Sequence, residues 1–214
     1  MRRTIRKPIF LAIIFVLVLC AGEVRAGEWI AVKRVNDGDT VQLVDGRLVR
    51  FIGVNSPEID HEHNTAEPFG FEARARNREL IGTQRIRLEF DIDRFDDYGR
   101  LLAYVFLPDG SMVNEKLIQS GLAYCLYKLP NVKYEDRLLR AQREAMQARA
   151  GIWGKWPEKK GRYIGNRNSR RFHAESCPEV KRISSRNRIR FNSRWDVFWA
   201  GYAPSKECQP DFFK

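Results

Sequence analysis

The 214-residue sequence has no apolar run long enough to cross a bilayer comfortably: the longest, Ile9–Cys20, has 12 residues, where a membrane helix needs roughly 20. Internal repeats and low-complexity tracts are absent too, so no repeat architecture is implied. Histidine and cysteine are scarce, at three and four residues. His61 and His63 stand close together in the polar loop Asp60–Glu67, but two histidines alone do not complete a site for a borderline metal. They read first as exposed loop residues. Cys125, just after Leu122 and Ala123, reads as a small core residue.

Net positive charge is missing from most of the chain, although the whole carries a net +11. Residues 27–154 hold 18 basic and 20 acidic residues, a net −2, whereas residues 155–214 hold 15 and 6, a net +9. The start is basic as well (Arg2, Arg3, Arg6, Lys7), and leads through the short apolar run to small residues ending at Ala26. That order is expected of a cleaved secretory signal over Met1–Ala26, with an uncleaved membrane anchor as the alternative. A nearly neutral body with a cationic tail suits a protein whose tail holds a polyanion while its body acts on it. Solubility alone also accounts for such a tail.

The stretch Asp37–Glu58, DGDTVQLVDGRLVRFIGVNSPE, is the chemical centre of the sequence. It opens on the acid turn Asp37-Gly38-Asp39 and closes on the turn Asn55-Ser56-Pro57-Glu58. Between them, Arg50 interrupts an apolar strand and shares a face with Leu48 and Ile52. A guanidinium so placed needs a partner or an anionic ligand. Two acid-bearing turns joined by a hairpin can converge on one hard cation, which takes oxygen ligands. A cation beside a forked arginine makes a phosphate site. Read as structure alone, the same residues are ordinary turn formers and an edge-strand arginine.

Alternation predicts strands over 28–35, 39–44, 47–54, 85–91 and 101–107, with Asp45-Gly46 as a two-residue hairpin turn. Helical spacing predicts helices over 69–81, 113–120 and 134–150. The first should pack Phe69, Ala73 and Leu80, and the last Tyr134, Leu138, Ala141, Ala145 and Ala148. Five short strands with about three helices define an α+β chain built on a five-stranded Greek-key barrel of the OB type, a fold that commonly binds nucleic acid. A charged linker over 155–161 and a small basic module over 162–214 follow.

The ordered motifs DGDTVQL, RFIGVNSPE, DDYGRLLAYVF and MVNEKLIQSGLA resemble the staphylococcal nuclease (thermonuclease) family over roughly residues 28–154. The resemblance implies the same barrel and a Ca²⁺-dependent nuclease that hydrolyses phosphodiester bonds of DNA and RNA, leaving 3′-phosphate ends with little sequence preference. By residue, it implies that Asp39 ligates the metal, that Ser56 offers its backbone carbonyl, and that Asn55 stands where the family usually has a second metal-binding Asp. Glu58 would position or deprotonate water, and Arg50 and Arg100 would clamp the phosphate. Tyr98 and Tyr127 would line the nucleotide pocket, with Asp96 in a supporting role. Asn keeps an oxygen ligand and loses a charge, so Ca²⁺ is expected to bind more weakly.

In the tail, Tyr163-Ile164-Gly165-Asn166, Phe172-His173, Cys177 and the run Gly201–Cys208 resemble the small zinc-binding module of Ada-type DNA-repair proteins. That resemblance implies His173, Cys177 and Cys208 as Zn²⁺ ligands, with Ser205 standing at the fourth place, where a hydroxyl is a poor ligand. An oxidising compartment offers a Cys177–Cys208 disulfide instead. The sequence thus describes a secreted or periplasmic, monomeric nuclease with no stable membrane span once the signal is cut. The alternative is a non-catalytic nucleic-acid-binding protein using the same fold.

Overall fold

The computed structural model describes residues 27–155 and 160–208; the expected signal segment and residues 156–159 of the linker lie outside them. Strands β1 (Trp29–Val35), β2 (Thr40–Leu43), β3 (Leu48–Phe51), β4 (Gly53–Asn55), β5 (Ile59–Asp60) and β6 (Thr65–Ala66) precede helix α1 (Gly70–Ile81). Then come β7 (Arg85–Glu89), β8 (Leu101–Phe106), α2 (Val113–Gln119), β9 (Tyr124–Leu126), α3 (Glu135–Gln147) and α4 (Ile152–Lys155). The barrel closes in the order β1-β2-β3-β8-β7, with β3 and β8 parallel and the other neighbours antiparallel. Alternation produces it: Val49 and Phe51, Ile86 and Leu88, and Ala103 and Val105 are buried in one core, so a one-residue slip of any strand would turn its apolar set to water.

One expected strand is two. The run expected over 47–54 breaks at Ile52, and Gly53 adopts φ +76°, a left-handed conformation that costs glycine little. A Cβ on Gly53 would also lie 2.5 Å from Leu138 Cδ1. The chain therefore leaves the barrel, and β4 pairs with β9 instead, Asn55 opposite Tyr124. This bend brings the Asn55–Glu58 turn back over the Asp37–Asp39 turn.

Helix α1 buries Gly70, Ala73, Asn77 and Ile81; of the expected apolar face, Ala73 is buried, and Phe69 and Leu80 pack half-buried against the two cores. A polar side chain joins the buried set: Asn77 Nδ2 donates to the carbonyls of Asp37 and Gly38 at 3.3 and 3.2 Å. Helix α3 buries Leu138, Ala141, Gln142, Ala145 and Met146. Ala148 is exposed because the helix has already ended, Arg149 having φ +53°.

The C-terminal region forms β10 (Lys160–Asn166), β11 (Arg171–Ala174), β12 (Arg188–Ser193), α5 (Arg194–Trp199) and β13 (Ala203–Pro204), with sheet order β12-β10-β11-β13. It has no separate core. Tyr124, Met146, Ile152 and Trp153 from the barrel side pack in one cluster with Phe172, Val197, Phe198 and Tyr202. Gln142 ties the two parts, accepting from Cys125 N at 2.7 Å and donating to the Phe198 carbonyl at 2.6 Å. No helix among the described residues is long and apolar enough to cross a membrane.

Candidate active site

The acid turn is held against the second turn by close packing. A Cβ on Gly38 would stand 2.5 Å from Ser56 Cβ and 2.7 Å from Ala73 Cβ, so glycine is what lets the turns meet. Asp39 then accepts from Ser56 N at 2.7 Å through Oδ2 and from the Thr40 hydroxyl at 3.2 Å through Oδ1. The Asp39 N–H donates to Asp37 Oδ1 at 3.0 Å. Burial, reinforced by the neighbouring Asp39 charge, pushes the Asp37 carboxyl up to about 7. Two carboxylates that repel each other in this way, Asp39 buried and Asp37 half-buried, are a donor set that a divalent cation would relieve.

Arg50 bridges the two turns. Its guanidinium pairs with Asp39 Oδ2 at 3.0 Å and donates to the carbonyls of Phe51 and Val54 at 3.0 and 2.7 Å and to Asn55 Oδ1 at 3.1 Å. Asn55 in turn donates through Nδ2 to the Tyr124 hydroxyl at 2.9 Å. Tyr124 is buried, and burial raises its phenol further above the ordinary range. Glu58 is exposed at the rim of the cleft, yet loss of water around its carboxyl there, and then the Asp39 charge, raise it, with Arg50 and Lys206 opposing. Such a carboxylate is a better proton acceptor than one in water.

Arg100 reaches the same cleft from the other side. Asp96 holds it, accepting from Arg100 Nε at 2.7 Å and from its backbone N–H at 2.9 Å, and pairing with Nη2 at 2.7 Å. Asp37, Asp39, Arg50, Asn55, Glu58, Tyr98 and Arg100 all line one cavity of about 430 Å³. Tyr98 is 81% exposed at its rim, with the Arg100 guanidinium 5.4 Å from its ring centre.

Other sequence candidates lie elsewhere. Tyr127 is buried, donates to the Glu135 carbonyl at 3.0 Å, and lines a neighbouring cavity. His61 and His63 are exposed, and His63 Nδ1 faces Asp60 at 2.8 Å. In the C-terminal part, His173 Nδ1 lies 3.5 Å from Cys177 Sγ, and Cys177 is disulfide-bonded. A disulfide sulfur has no thiolate charge to offer zinc. The Cys208 side chain lies outside the described residues. Ser205 is buried and donates to Glu207.

Sequence reasoning passes over Asn77, Tyr124, Arg171 and Lys206. Asn77 is a polar residue in a helix read by its apolar spacing, and Tyr124 is an aromatic that reads as core. Arg171 and Lys206 come from the far end of the chain and line the cleft.

An OB-type barrel with an acid–arginine cleft at its mouth is the class that fold and site define. Residues 48–155 match the family described as staphylococcal nuclease homologue, and the chain belongs to that family. It is 42% identical over 130 residues to the thermonuclease of Staphylococcus intermedius, which covers 59% of this chain and 77% of that protein. It is 40% identical over 131 residues to the endonuclease YncB of Bacillus subtilis (strain 168), covering 59% of this chain and 62% of the relative. With the SPbeta prophage-derived endonuclease YokF of the same organism it shares 39% over 131 residues, 59% of this chain and 44% of that protein. The chain thus spans less than two thirds of the length of these two Bacillus relatives.

Proposed function

We propose that this protein is a Ca²⁺-dependent nuclease that hydrolyses phosphodiester bonds in DNA and RNA and acts outside the cytoplasm. The observation that carries the reading is the meeting of Asp37, Asp39, Glu58, Arg50 and Arg100 in one cleft. Family membership supports the chemistry, and the basic start, apolar run and small residues before Gly27 support export.

Asp37, Asp39, the Asn55 side-chain oxygen and the Ser56 carbonyl are the oxygen donors that would hold the cation. When bound, Ca²⁺ supplies positive charge that lowers the cost of bringing a nucleophile to an anionic phosphodiester. Glu58 takes the proton of the attacking water. Arg100, aimed by Asp96, meets the phosphate oxygens, and Arg50 holds the turns together and adds charge where the transition state becomes more anionic. Asn55 brings no charge, so the Ca²⁺ concentration for half-maximal activity should fall in Asn55→Asp; an unchanged or higher value would remove Asn55 from the cation site.

A second reading, a non-catalytic nucleic-acid binder, has one observation in its favour: the Asn55 amide is engaged on both sides, by Arg50 and by Tyr124. With Ca²⁺ added, an enzyme destroys a labelled strand and a binder only retards it.

A further inference from the structure

The C-terminal part carries residues into the cleft that the barrel alone does not supply. Arg171 begins β11, where its backbone is fixed between Asn166 of β10 and Ala203 of β13. Lys206 follows β13 in a short 3-10 turn, Lys206–Cys208, and is exposed. Both line the 430 Å³ cavity that contains Asp39, Glu58 and Arg100. A second cavity of about 580 Å³ adjoins it and shares Asn55, Glu58, Arg171 and Lys206. A third, of about 540 Å³, is lined by Lys128, Arg167, Arg170 and Arg171. Arg171 lies where all three meet.

One donor at that junction is unmet among the described residues. Arg171 Nη1 is buried and has no hydrogen-bond partner among the described residues, which costs free energy unless something accepts from it. Burial also works against the Arg171 charge, and the groups that favour it are Tyr124 and Glu207. Lys206 forms none of the ion pairs seen among the described residues, although its charge is felt at Glu58. Rigid attachment makes the placement dependable: Phe198 packs edge-to-face on Tyr124 at 5.4 Å and on Trp153 at 5.1 Å. Tyr124 is the residue that accepts from Asn55. The family match ends at residue 155, so neither cation belongs to the matched barrel.

We propose that the C-terminal module forms a second wall of the active-site cleft, with Arg171 and Lys206 as phosphate-binding residues for the polynucleotide beside the cleaved bond. The basic cavity along Lys128, Arg167 and Arg170 carries the continuing strand. This rests on the nuclease reading for the identity of the ligand. The module acts inside the site, not as a separately tethered polyanion holder.

The test is binding of a fluorescein-labelled 12-nucleotide deoxythymidine strand to the purified protein, with chelator present, as a function of salt. Cleavage kinetics with Ca²⁺ run beside it. Variants are Lys206→Ala, Arg171→Gln, Arg171→Lys and the double variant Arg171→Gln/Lys206→Ala, with Lys33→Ala on β1 as an exposed control. Removing one phosphate-binding cation should reduce the slope of log affinity against log salt by about 0.7, which near 0.15 M salt is about fourfold in affinity. Lys206→Ala should therefore raise KM about fourfold with kcat nearly unchanged, the double variant should show about twice the reduction in slope, and Arg171→Lys should restore most of it. Wild-type slope and KM in Lys206→Ala and in a folded double variant would overturn the proposal. If the protein binds with this dependence but cleaves nothing, the second wall stands and hydrolysis falls. If it binds no strand at low salt, both fall.

Discussion

Arg50 and Arg100 enter one cleft, but they are held in different ways and should fail differently. Arg50 forms a nearly buried pair with Asp39, at 12% and 6% side-chain exposure, and removing one partner of such a pair typically costs about 3–5 kcal/mol. Arg50→Ala should therefore lower the unfolding free energy by about that much as well as abolishing activity. Arg100 is more open, so Arg100→Ala should cut kcat by roughly a hundred- to a thousandfold with a much smaller stability loss. Denaturant melts beside kinetics separate the two, and equal stability losses would contradict this assignment.

Asp96 gives a pH signature at the same scale. Burial raises its carboxyl, but the hydrogen bonds from the Arg100 backbone and guanidinium prevail and hold it below the usual carboxylate range. Its folded value is depressed, so its contribution is fully present above the unfolded value of about 3.9 and is lost as pH falls through the folded one. Asp96→Asn should cost about 1.5–3 kcal/mol near pH 7, and the difference from wild type should shrink steadily as the medium is acidified toward pH 2. A pH-independent difference would assign the loss to packing.

Among the elements, the site depends on two backbone features. The acid turn approaches the Ser56 turn only because residue 38 has no Cβ, so Gly38→Ala should force them apart. Overpacking of this kind costs about 1–3 kcal/mol of stability, and activity should fall as well because the proposed cation donors separate. Retained activity in Gly38→Ala would contradict the packing argument. The barrel strands are legible in the sequence because a half-buried strand alternates at period two, and Val49, Phe51, Ile86 and Leu88 obey it. The break at Gly53 is not, because a single glycine inside an apolar run reads as a tolerated strand residue until its φ is known. The burial of Asn77 on α1 escapes for a related reason: it binds carbonyls, a long-range polar need that apolar spacing does not reveal. That Asp39, Arg50, Asn55, Glu58 and Arg100 would line one cleft is legible from their turns and motifs.

Across the whole molecule, the charge shift near residue 155 suggests a boundary, yet the apolar core runs straight across it. Composition records charge along the chain and says nothing of which aromatic rings share a cluster, so the contacts of Phe198 and Tyr202 with Tyr124 and Trp153 cannot be read from it. Removing residues after 155 would uncover Tyr124, Met146, Ile152 and Trp153, each worth about 1.5–3 kcal/mol when buried. For a chain of this size, that predicts a melting temperature at least about 10 °C lower, measured by calorimetry on the shortened and complete proteins. An unchanged melting temperature would mean that the barrel does not rely on the shared core.

The proposed nuclease activity turns on one cleft bringing cation, arginines and Glu58 to a phosphodiester, and the decisive experiment is degradation of labelled DNA and RNA by the purified protein. It is made with Ca²⁺ and with chelator, beside Glu58→Gln. Cleavage should require Ca²⁺ and fall by roughly a hundred- to ten-thousandfold in the variant, the range for loss of a positioned base. Binding without cleavage at any Ca²⁺ concentration, or cleavage indifferent to both chelator and Glu58→Gln, would contradict it.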